Sequence, residues 1–238
     1  MDGKVNKGPI YLIPWDPDSE DHVQRLKQQR VDCGWKVEKV DEWRLEQRQG
    51  HIGMHWIVLR PSHPDTDRRL RMHIEAFPEQ SEPLKDTCKN VFSQPHTPIS
   101  ALSSFRPIGH ISFDGVTSDA ELETNPANGV YSLMSFYISK PLQSVGLGGA
   151  AMDVCERLAR DDFSAKAITL GTIDNEMVAI NSPRRIAMGR PVPKITNQDW
   201  YQRRGYVVYA KKKDAWFDND PTGKAWGCDM VCMRKILD

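Results

Sequence analysis

A glycine-rich segment at residues 143–149 has the residue types best suited to a chemical task. It reads Gln143-Ser144-Val145-Gly146-Leu147-Gly148-Gly149 and stands between an apolar run and a helical pattern. The first turn of a helix offers backbone N–H groups without intrahelical acceptors, at the positive end of the helix dipole. Glycines let that backbone approach a phosphate without an intervening Cβ atom. The segment therefore predicts an anion site for a phosphate-bearing ligand.

Three known glycine-rich phosphate loops can be compared with this segment. The P-loop string Gly-x-x-x-x-Gly-Lys-Ser/Thr does not occur in the chain. The dinucleotide pattern Gly-x-Gly-x-x-Gly/Ala is satisfied formally by residues 146–151. However, its first glycine stands well after the preceding strand, and the next strand ends at Gly171 without an acidic residue. The glycines alone leave a dinucleotide loop and an acyl-CoA loop open.

A second group of residues, centred on a tyrosine, follows later in the chain. It reads Trp200-Tyr201-Gln202-Arg203-Arg204-Gly205-Tyr206. Gln143-x-x-Gly146-x-Gly148 resembles the signature Gln/Arg-x-x-Gly-x-Gly/Ala of the GNAT acetyltransferase superfamily, and the later string resembles its second hallmark, aromatic-Tyr-x-x-x-Gly-aromatic. The two signatures in this order favour the acyl-CoA loop, and the resemblance covers residues 107–236 well.

The resemblance implies a site and a reaction. Acetyl-CoA would be the co-substrate, with its pyrophosphate on residues 143–149. Backbone groups of Phe136, Tyr137 and Ile138 would contact the pantetheine and the acyl carbonyl, and Tyr201 would protonate or hydrogen-bond the leaving sulfur. The chain would transfer an acetyl group directly to a primary amine in a ternary complex.

The group that takes the proton from the amine stays open at this point. His110, Asp114, Glu121 and Glu123 are candidates because they stand near the strand pair expected to flank the amine. Each also has a structural interpretation, as a buried strand histidine, a turn cap or a solvated loop carboxylate. A chain of water molecules is a further alternative.

Two residue pairs have side chains that can bind a metal, and both fit such a site poorly. His51 and His55 lack a third ligand at a suitable spacing. Cys228 and Cys232 stand four residues apart on a predicted strand without a partner pair. We therefore expect no metal.

The elements that must position these residues follow from hydrophobic periodicity and from capping residues. The first strand is predicted at 10–13. A helix capped by Asp18 or Ser19 should end at Gly34, a second helix should cover 38–49, and the next strand should cover 54–59. Strands are then predicted at 107–114 and 130–138, a helix at 146–160, a strand at 167–171, helical stretches at 175–188 and 197–204, and strands at 206–210 and 226–235. The strands at 130–138 and 167–171 should be parallel, because a helix connects them.

Residues 60–106 contain six prolines and suggest an insertion or lid, with strand-like material from Leu70 to Phe77. The fold class is therefore α/β (α+β). The resemblance implies the GNAT fold, with a mixed central sheet of about six to seven strands flanked by helices. We expect one domain over residues 1–238, with the insertion at about 60–106.

Composition limits the partners. The chain has 238 residues, and its 32 basic and 32 acidic side chains cancel, so it has no long-range attraction to nucleic acid or to an anionic membrane. No apolar run is long enough to span a bilayer, no secretory signal is visible, and five sparse cysteines do not suggest a disulfide framework. We expect a cytoplasmic monomer or homodimer whose acceptor is a small-molecule amine. A protein or peptide N-acetyltransferase and a CoA-binding module without turnover are the alternatives.

Overall fold

The computed structural model describes residues 8–99, 103–117 and 119–237. Seven longer strands are hydrogen-bonded in the order β1-β2-β7-β8-β9-β11-β10. They are β1 Ile10–Pro14, β2 Ile52–Leu59, β7 Pro107–Asp114, β8 Val130–Ile138, β9 Ala167–Ile173, β10 Val207–Asn219 and β11 Ala225–Ile236. The sheet is mixed, because β8 and β9 run parallel whereas β1, β2 and β7 alternate in direction. This confirms the predicted fold class.

Seven α-helices, four short strands and several short 3-10 turns complete the described elements. The helices are α1 Glu20–Cys33, α2 Val40–Arg48, α3 Thr66–Ala76, α4 Leu147–Phe163, α5 Asn175–Val178, α6 Pro183–Ala187 and α7 Asn197–Gln202. The short strands are β3 Leu84–Lys85, β4 Asn90–Val91, β5 Gln94–Pro95 and β6 Ser104–Phe105. Within the described residues, no helix has the length and apolar content needed to cross a membrane.

The chain divides into two compact units, residues 1–116 with 133–164, and residues 117–132 with 165–238. The division falls inside β8, whose first three residues belong to the second unit. In the first unit, β1, β2 and β7 are antiparallel and the helices α1 to α4 accompany them. Its core includes the fully buried side chains of Trp15, Trp56 and Leu26.

The first helix forms where its caps predict it. The Ser19 side chain accepts a hydrogen bond from the backbone N–H of His22, and Gly34 ends the helix with φ +78°. Glycine suits that position because a left-handed conformation costs it no Cβ clash. The connection to α2 then begins with Lys36, also at positive φ. Both predicted N-terminal helices are confirmed.

The second unit contains the parallel start of β8 with β9, followed by two antiparallel strands. Val130 to Ser132 pair with Ala167 to Thr169. The neighbour of β9 is β11, and β10 pairs with β11 at the end of the sheet. β10 is far longer than the predicted strand at 206–210, and two irregularities in its pairing let it continue through a lysine-rich segment.

One prediction in the insertion is wrong. Residues 70–77 were expected to be strand-like, but α3 covers residues 66–76. Leu70, Met72 and Ile74 alternate with charged or polar residues, which resembles a strand, yet Leu70, His73 and Ile74 also fall on one helical face. His73 is fully buried on that face, and burial against the rest of the unit decides between the two periodicities.

Candidate functional site

The chain between β8 and α4 turns sharply through residues 139–146. A 3-10 turn at Lys140–Leu142 is followed by extended Gln143, whose side-chain Nε2 donates to the carbonyl of Ile138 at 2.9 Å. Ser144 and Gly146 both have positive φ. The buried side chains of Leu142 and Leu147 fix the two ends of this turn, whereas residues 143–146 between them are exposed. We call residues 143–149 the phosphate loop.

Helix α4 begins with unused backbone donors. The N–H of Ala150 donates to the carbonyl of Gly146 at 3.1 Å and begins the helical ladder, so the N–H groups of Leu147, Gly148 and Gly149 have no intrahelical acceptor. The N-cap residue Gly146 supplies no side-chain hydrogen bond, and the first turn contains no acidic residue. A Cβ atom placed on Gly146 would meet nothing within 4 Å. This start of a helix fits a bound diphosphate.

Strand β8 is distorted in the middle. Ser135 has φ +50°, a conformation that an L-residue in a regular strand does not adopt. Met134, Ser135 and Phe136 are partly exposed, whereas Leu133 and Tyr137 on either side are buried. A left-handed residue in a strand turns backbone groups out of the ladder, as in a β-bulge. The strand is therefore irregular at the place where its residues are also partly exposed.

The three residues expected to contact the pantetheine direct their backbone groups to different sides. A Cβ atom on Gly109 of β7 would lie 2.1 Å from the carbonyl oxygen of Tyr137, so the Tyr137 carbonyl faces β7. Successive residues of a strand alternate their backbone groups between the two edges. Phe136 and Ile138 therefore direct theirs away from β7, and the Ile138 carbonyl accepts from Gln143.

Tyr201 lies in the second unit, on α7. The side chain of Thr196 caps this helix by accepting from Asp199 N at 3.0 Å. The Tyr201 ring is buried and contacts those of Trp200 and Tyr206, at centroid distances of 4.9 and 5.6 Å. The Tyr201 carbonyl accepts from the N–H groups of Arg204 and Tyr206, which closes the turn into β10.

A polar contact missed by sequence reasoning fixes α7. Asn175, at the start of α5, donates through Nδ2 to Asp199 Oδ1 at 2.7 Å, and its backbone N–H donates to Gln198 Oε1 at 2.9 Å. The segment that follows β9 is thus tied to the helix that carries Tyr201. The GNAT resemblance implies an asparagine before the tyrosine, for which Asn175, Asn181 and Asn197 are candidates, and these bonds distinguish Asn175.

His110 has the structural interpretation that the sequence allowed. Its side chain is fully buried, and Nδ1 donates to Gln29 Oε1 at 2.8 Å while Nε2 accepts from Arg30 at 3.2 Å. Burial, with the nearby Arg30 charge, holds the pKa of His110 well below its usual value. Both ring nitrogens are therefore used inside the protein.

The three candidate carboxylates have different surroundings. Glu121 interacts with Asp119, and its Oε2 lies 3.2 Å from Lys212 Nζ. These contacts lower the pKa of Glu121 to about 2. Glu123 forms an ion pair with Arg234. Asp114, in the first unit, is partly buried and accepts from Ser112 Oγ at 2.9 Å. Burial raises the pKa of Asp114 to about 7.

His51 and His55, the histidine pair considered for a metal, have partners within the protein. His51 Nδ1 lies 2.7 Å from Glu46 Oε2, and buried His55 contacts the carbonyl of Gly53 at 2.9 Å. Cys228 and Cys232 are buried free thiols whose pKa burial raises to about 11. Among the residues that the structure describes, no group of three or more His, Cys, Asp or Glu side chains is arranged to hold a metal ion.

The loop, the helix start and the order of elements agree with a known family. The model of the acetyltransferase (GNAT) family matches residues 63–186, more than half of the chain. The chain therefore belongs to the GNAT acetyltransferase family. A search of the curated proteins gives no match.

Solved acetyltransferase structures share the fold. One is RimL, a ribosomal L7/L12 alpha-N-protein acetyltransferase, with a TM-score of 0.51, 12% identity, and coverage of 97% of this chain and 94% of that one. Another is the spermidine/spermine N-acetyltransferase SpeG from Vibrio cholerae. Its TM-score is 0.50 at 10% identity, and the match covers 96% of this chain and 93% of SpeG. A third is an aminoglycoside 6'-N-acetyltransferase complexed with coenzyme A. Its TM-score is 0.52 at 10% identity, and the match covers 96% of this chain and 97% of that enzyme.

Proposed function

We propose that this chain is an N-acetyltransferase that moves an acetyl group from acetyl-CoA to a primary amine of a small molecule. The observation that carries the proposal is the phosphate loop, an exposed turn that ends in a helix start with free N–H groups and without acidic residues. Bound there, acetyl-CoA would supply an acyl thioester. The family and the solved relatives support this class of reaction.

The residues of the first unit would bind and orient the co-substrate. The N–H groups of Leu147, Gly148 and Gly149 would hold the pyrophosphate, and the exposed turn at Gln143–Gly146 would surround it. Beside the distortion at Ser135, a backbone N–H of β8 would donate to the carbonyl oxygen as it gains charge. Phe136 is the residue of the predicted set that lies next to this distortion.

Tyr201 would act on the sulfur. A tyrosine hydroxyl held in a buried aromatic cluster can protonate a leaving thiolate, and a fixed helix orients it. The bonds from Asn175 to Asp199 and Gln198 hold that helix. Tyr201 is thus the proposed catalytic acid, and Asn175 is a positioning residue for it.

A small-molecule acceptor is favoured over a protein by two features. The net charge is zero, so the chain lacks the overall acidic character that attracts basic protein tails, and the insertion at 60–106 adds structure to the first unit. SpeG and the aminoglycoside enzyme are named for small-molecule amines, and RimL for a protein. A cytoplasmic monomer or homodimer stays a prediction.

A thiol-release assay with acetyl-CoA tests the proposal. We expect release of free CoA when small primary amines are supplied, with polyamines, amino acids and aminoglycosides tested as separate classes. Turnover only on peptides would replace the acceptor class with a protein. Binding of CoA without turnover on any amine or peptide would contradict the enzymatic proposal and leave a CoA-binding module.

A further inference from the structure

Asp114 differs from the other groups considered as the proton acceptor. His110 has both ring nitrogens in hydrogen bonds inside the core. Glu121 and Glu123 are in ion pairs with cationic side chains of the second unit. Asp114 is the last residue of β7, and its hydrogen bond comes from the neutral hydroxyl of Ser112. Asp114 is therefore the candidate carboxylate whose hydrogen-bond donor is a neutral group.

The position of Asp114 along the sheet suits that role. The N–H of Ser139, just after β8, donates to the carbonyl of Ile108 near the start of β7 at 2.8 Å. Since the end of β8 lies beside the start of β7, these neighbouring strands run in opposite directions. Asp114 at the end of β7 therefore lies beyond the Ser135 distortion, on the side away from the phosphate loop. The diphosphate site, the exposed strand backbone and the carboxyl group follow one another in that order.

Two charged groups act on the carboxyl group of Asp114. Lys36, in the connection between α1 and α2, is positive, and Glu46 of α2 is negative. Glu46 is also hydrogen-bonded to His51, just before β2. Ser112 is its polar neighbour on β7 itself. The two opposite charges oppose each other, which leaves burial as the main effect on the carboxyl group.

Burial raises the pKa of Asp114 to about 7, with the Ser112 hydrogen bond and the Lys36 charge acting in the opposite direction. A proton acceptor works best when its pKa is near the working pH, because it is then both available and sufficiently basic. An ordinary exposed aspartate, with a pKa of about 4, is a much weaker base.

We propose that Asp114 is the catalytic base that takes the proton from the acceptor amine. This rests on the proposed acetyltransferase function. The amine nitrogen forms a C–N bond to the acyl carbon, the C–S bond breaks, and sulfur leaves with the electron pair of that bond. Asp114 accepts the proton lost by nitrogen, the sulfur gains a proton from Tyr201, and both side chains return to their starting states by exchange with water.

The test is the pH dependence of turnover in Asp114→Asn, which keeps the size of the side chain. In the wild-type protein, protonation of the carboxyl group should lower kcat/KM for the amine tenfold per pH unit below about pH 7. Protonation of the amine substrate adds a second slope of its own to the same profile. In Asp114→Asn, turnover should fall by about 10²–10⁴-fold and only the amine slope should remain. The KM for acetyl-CoA should stay within about twofold, and Asp114→Glu should recover part of the rate.

Asp67→Asn, at an exposed aspartate of α3 in the same unit, is the matched control and should behave as wild type. If the wild-type protein is active and the Asp114→Asn variant keeps its rate and both slopes of the pH profile, Asp114 is not the base. The proposed acetyltransferase function would then still stand. A wild-type protein that binds acetyl-CoA but acetylates no amine would overturn the proposed function, and this assignment with it.

Discussion

Gly146 is the residue at which backbone conformation and ligand binding depend most directly on each other. It has φ +84°, caps α4 and leaves open space where a side chain would stand. Any other residue would pay the cost of a left-handed conformation, about 1–2 kcal/mol. Its side chain would also occupy the space proposed for the pyrophosphate.

Gly146→Val should weaken acetyl-CoA binding by more than about tenfold, which corresponds to about 1.4 kcal/mol. Isothermal titration calorimetry measures this directly. Gly223→Val is the matched control, because Gly223 also has a strongly positive φ and open space around it but lies in a turn between β10 and β11. Both variants should lose similar stability. Equal CoA affinity in the two variants would remove the basis for the phosphate loop.

Tyr201→Phe separates catalysis from binding. Loss of the hydroxyl should lower kcat by about 10²–10⁴-fold if it supplies the proton to sulfur. Affinity for acetyl-CoA, measured by calorimetry, should change little, since the ring still packs against Trp200 and Tyr206. Tyr206→Phe, in the same aromatic cluster, is the control and should keep its turnover. Full activity in Tyr201→Phe would exclude it as the catalytic acid.

The sequence predicted some of the proposed site residues and missed others for a physical reason. The phosphate loop could be predicted because glycines and the start of a helix are local features of the chain. The left-handed Ser135 could not be predicted, and the sequence did not distinguish Asn175 from Asn181 and Asn197. Serine occurs in ordinary strands, and the bond from Asn175 to Asp199 joins residues 24 positions apart. Such features depend on tertiary packing rather than on neighbouring residues.

At the scale of elements, the inserted helix α3 supports the phosphate loop. His73 Nδ1 and Ser139 Oγ lie 2.8 Å apart, and both side chains are buried. Ser139 is the residue between β8 and the 3-10 turn that leads into the loop, and α3 packs against that turn. The insertion therefore has a structural role in the first unit in addition to any role as a lid.

Ser139→Ala should destabilise the protein by about 1–3 kcal/mol, because it leaves a buried ring nitrogen of His73 without its partner. Thermal unfolding measures this loss. We also expect weaker acetyl-CoA binding, since the turn before the loop loses its anchor to α3. Ser104→Ala changes an exposed serine of the same insertion and should leave both quantities unchanged. A stable Ser139→Ala variant with normal affinity would contradict this support.

Predictions of elements succeeded where caps and periodicity agreed. Helix α1 has its serine cap and its glycine stop, and β8 has the predicted bounds. α3 was mistaken for a strand because three apolar residues alternate within it, and its buried face became apparent only in the folded unit. β10 was predicted too short, because its lysine-rich continuation is held by pairing with β11 rather than by local preference.

At the scale of the whole molecule, the glycines of the phosphate loop do not decide whether the ligand is acyl-CoA or a dinucleotide. Residues 146–151 also satisfy a dinucleotide pattern, and the family match now favours acyl-CoA. Both ligands carry a pyrophosphate, so the helix start alone does not separate them. The choice therefore requires a comparison of intact ligands on the intact chain.

Acetyl-CoA at about 100 times its Kd should stabilise the folded chain by about 2.7 kcal/mol, because it binds only the folded state. For a chain of this length, that corresponds to a rise in Tm of about 5–10 °C. NADH at the same concentration should give no shift. The acidic residue after β9, Asp174, already accepts from Glu176 N at 2.8 Å and pairs with Lys211 Nζ at 2.8 Å, so its carboxylate is not free to bind a ribose. Gly146→Val should lose the shift while Gly223→Val keeps it. A shift with NADH and none with acetyl-CoA would reverse the assignment of the loop.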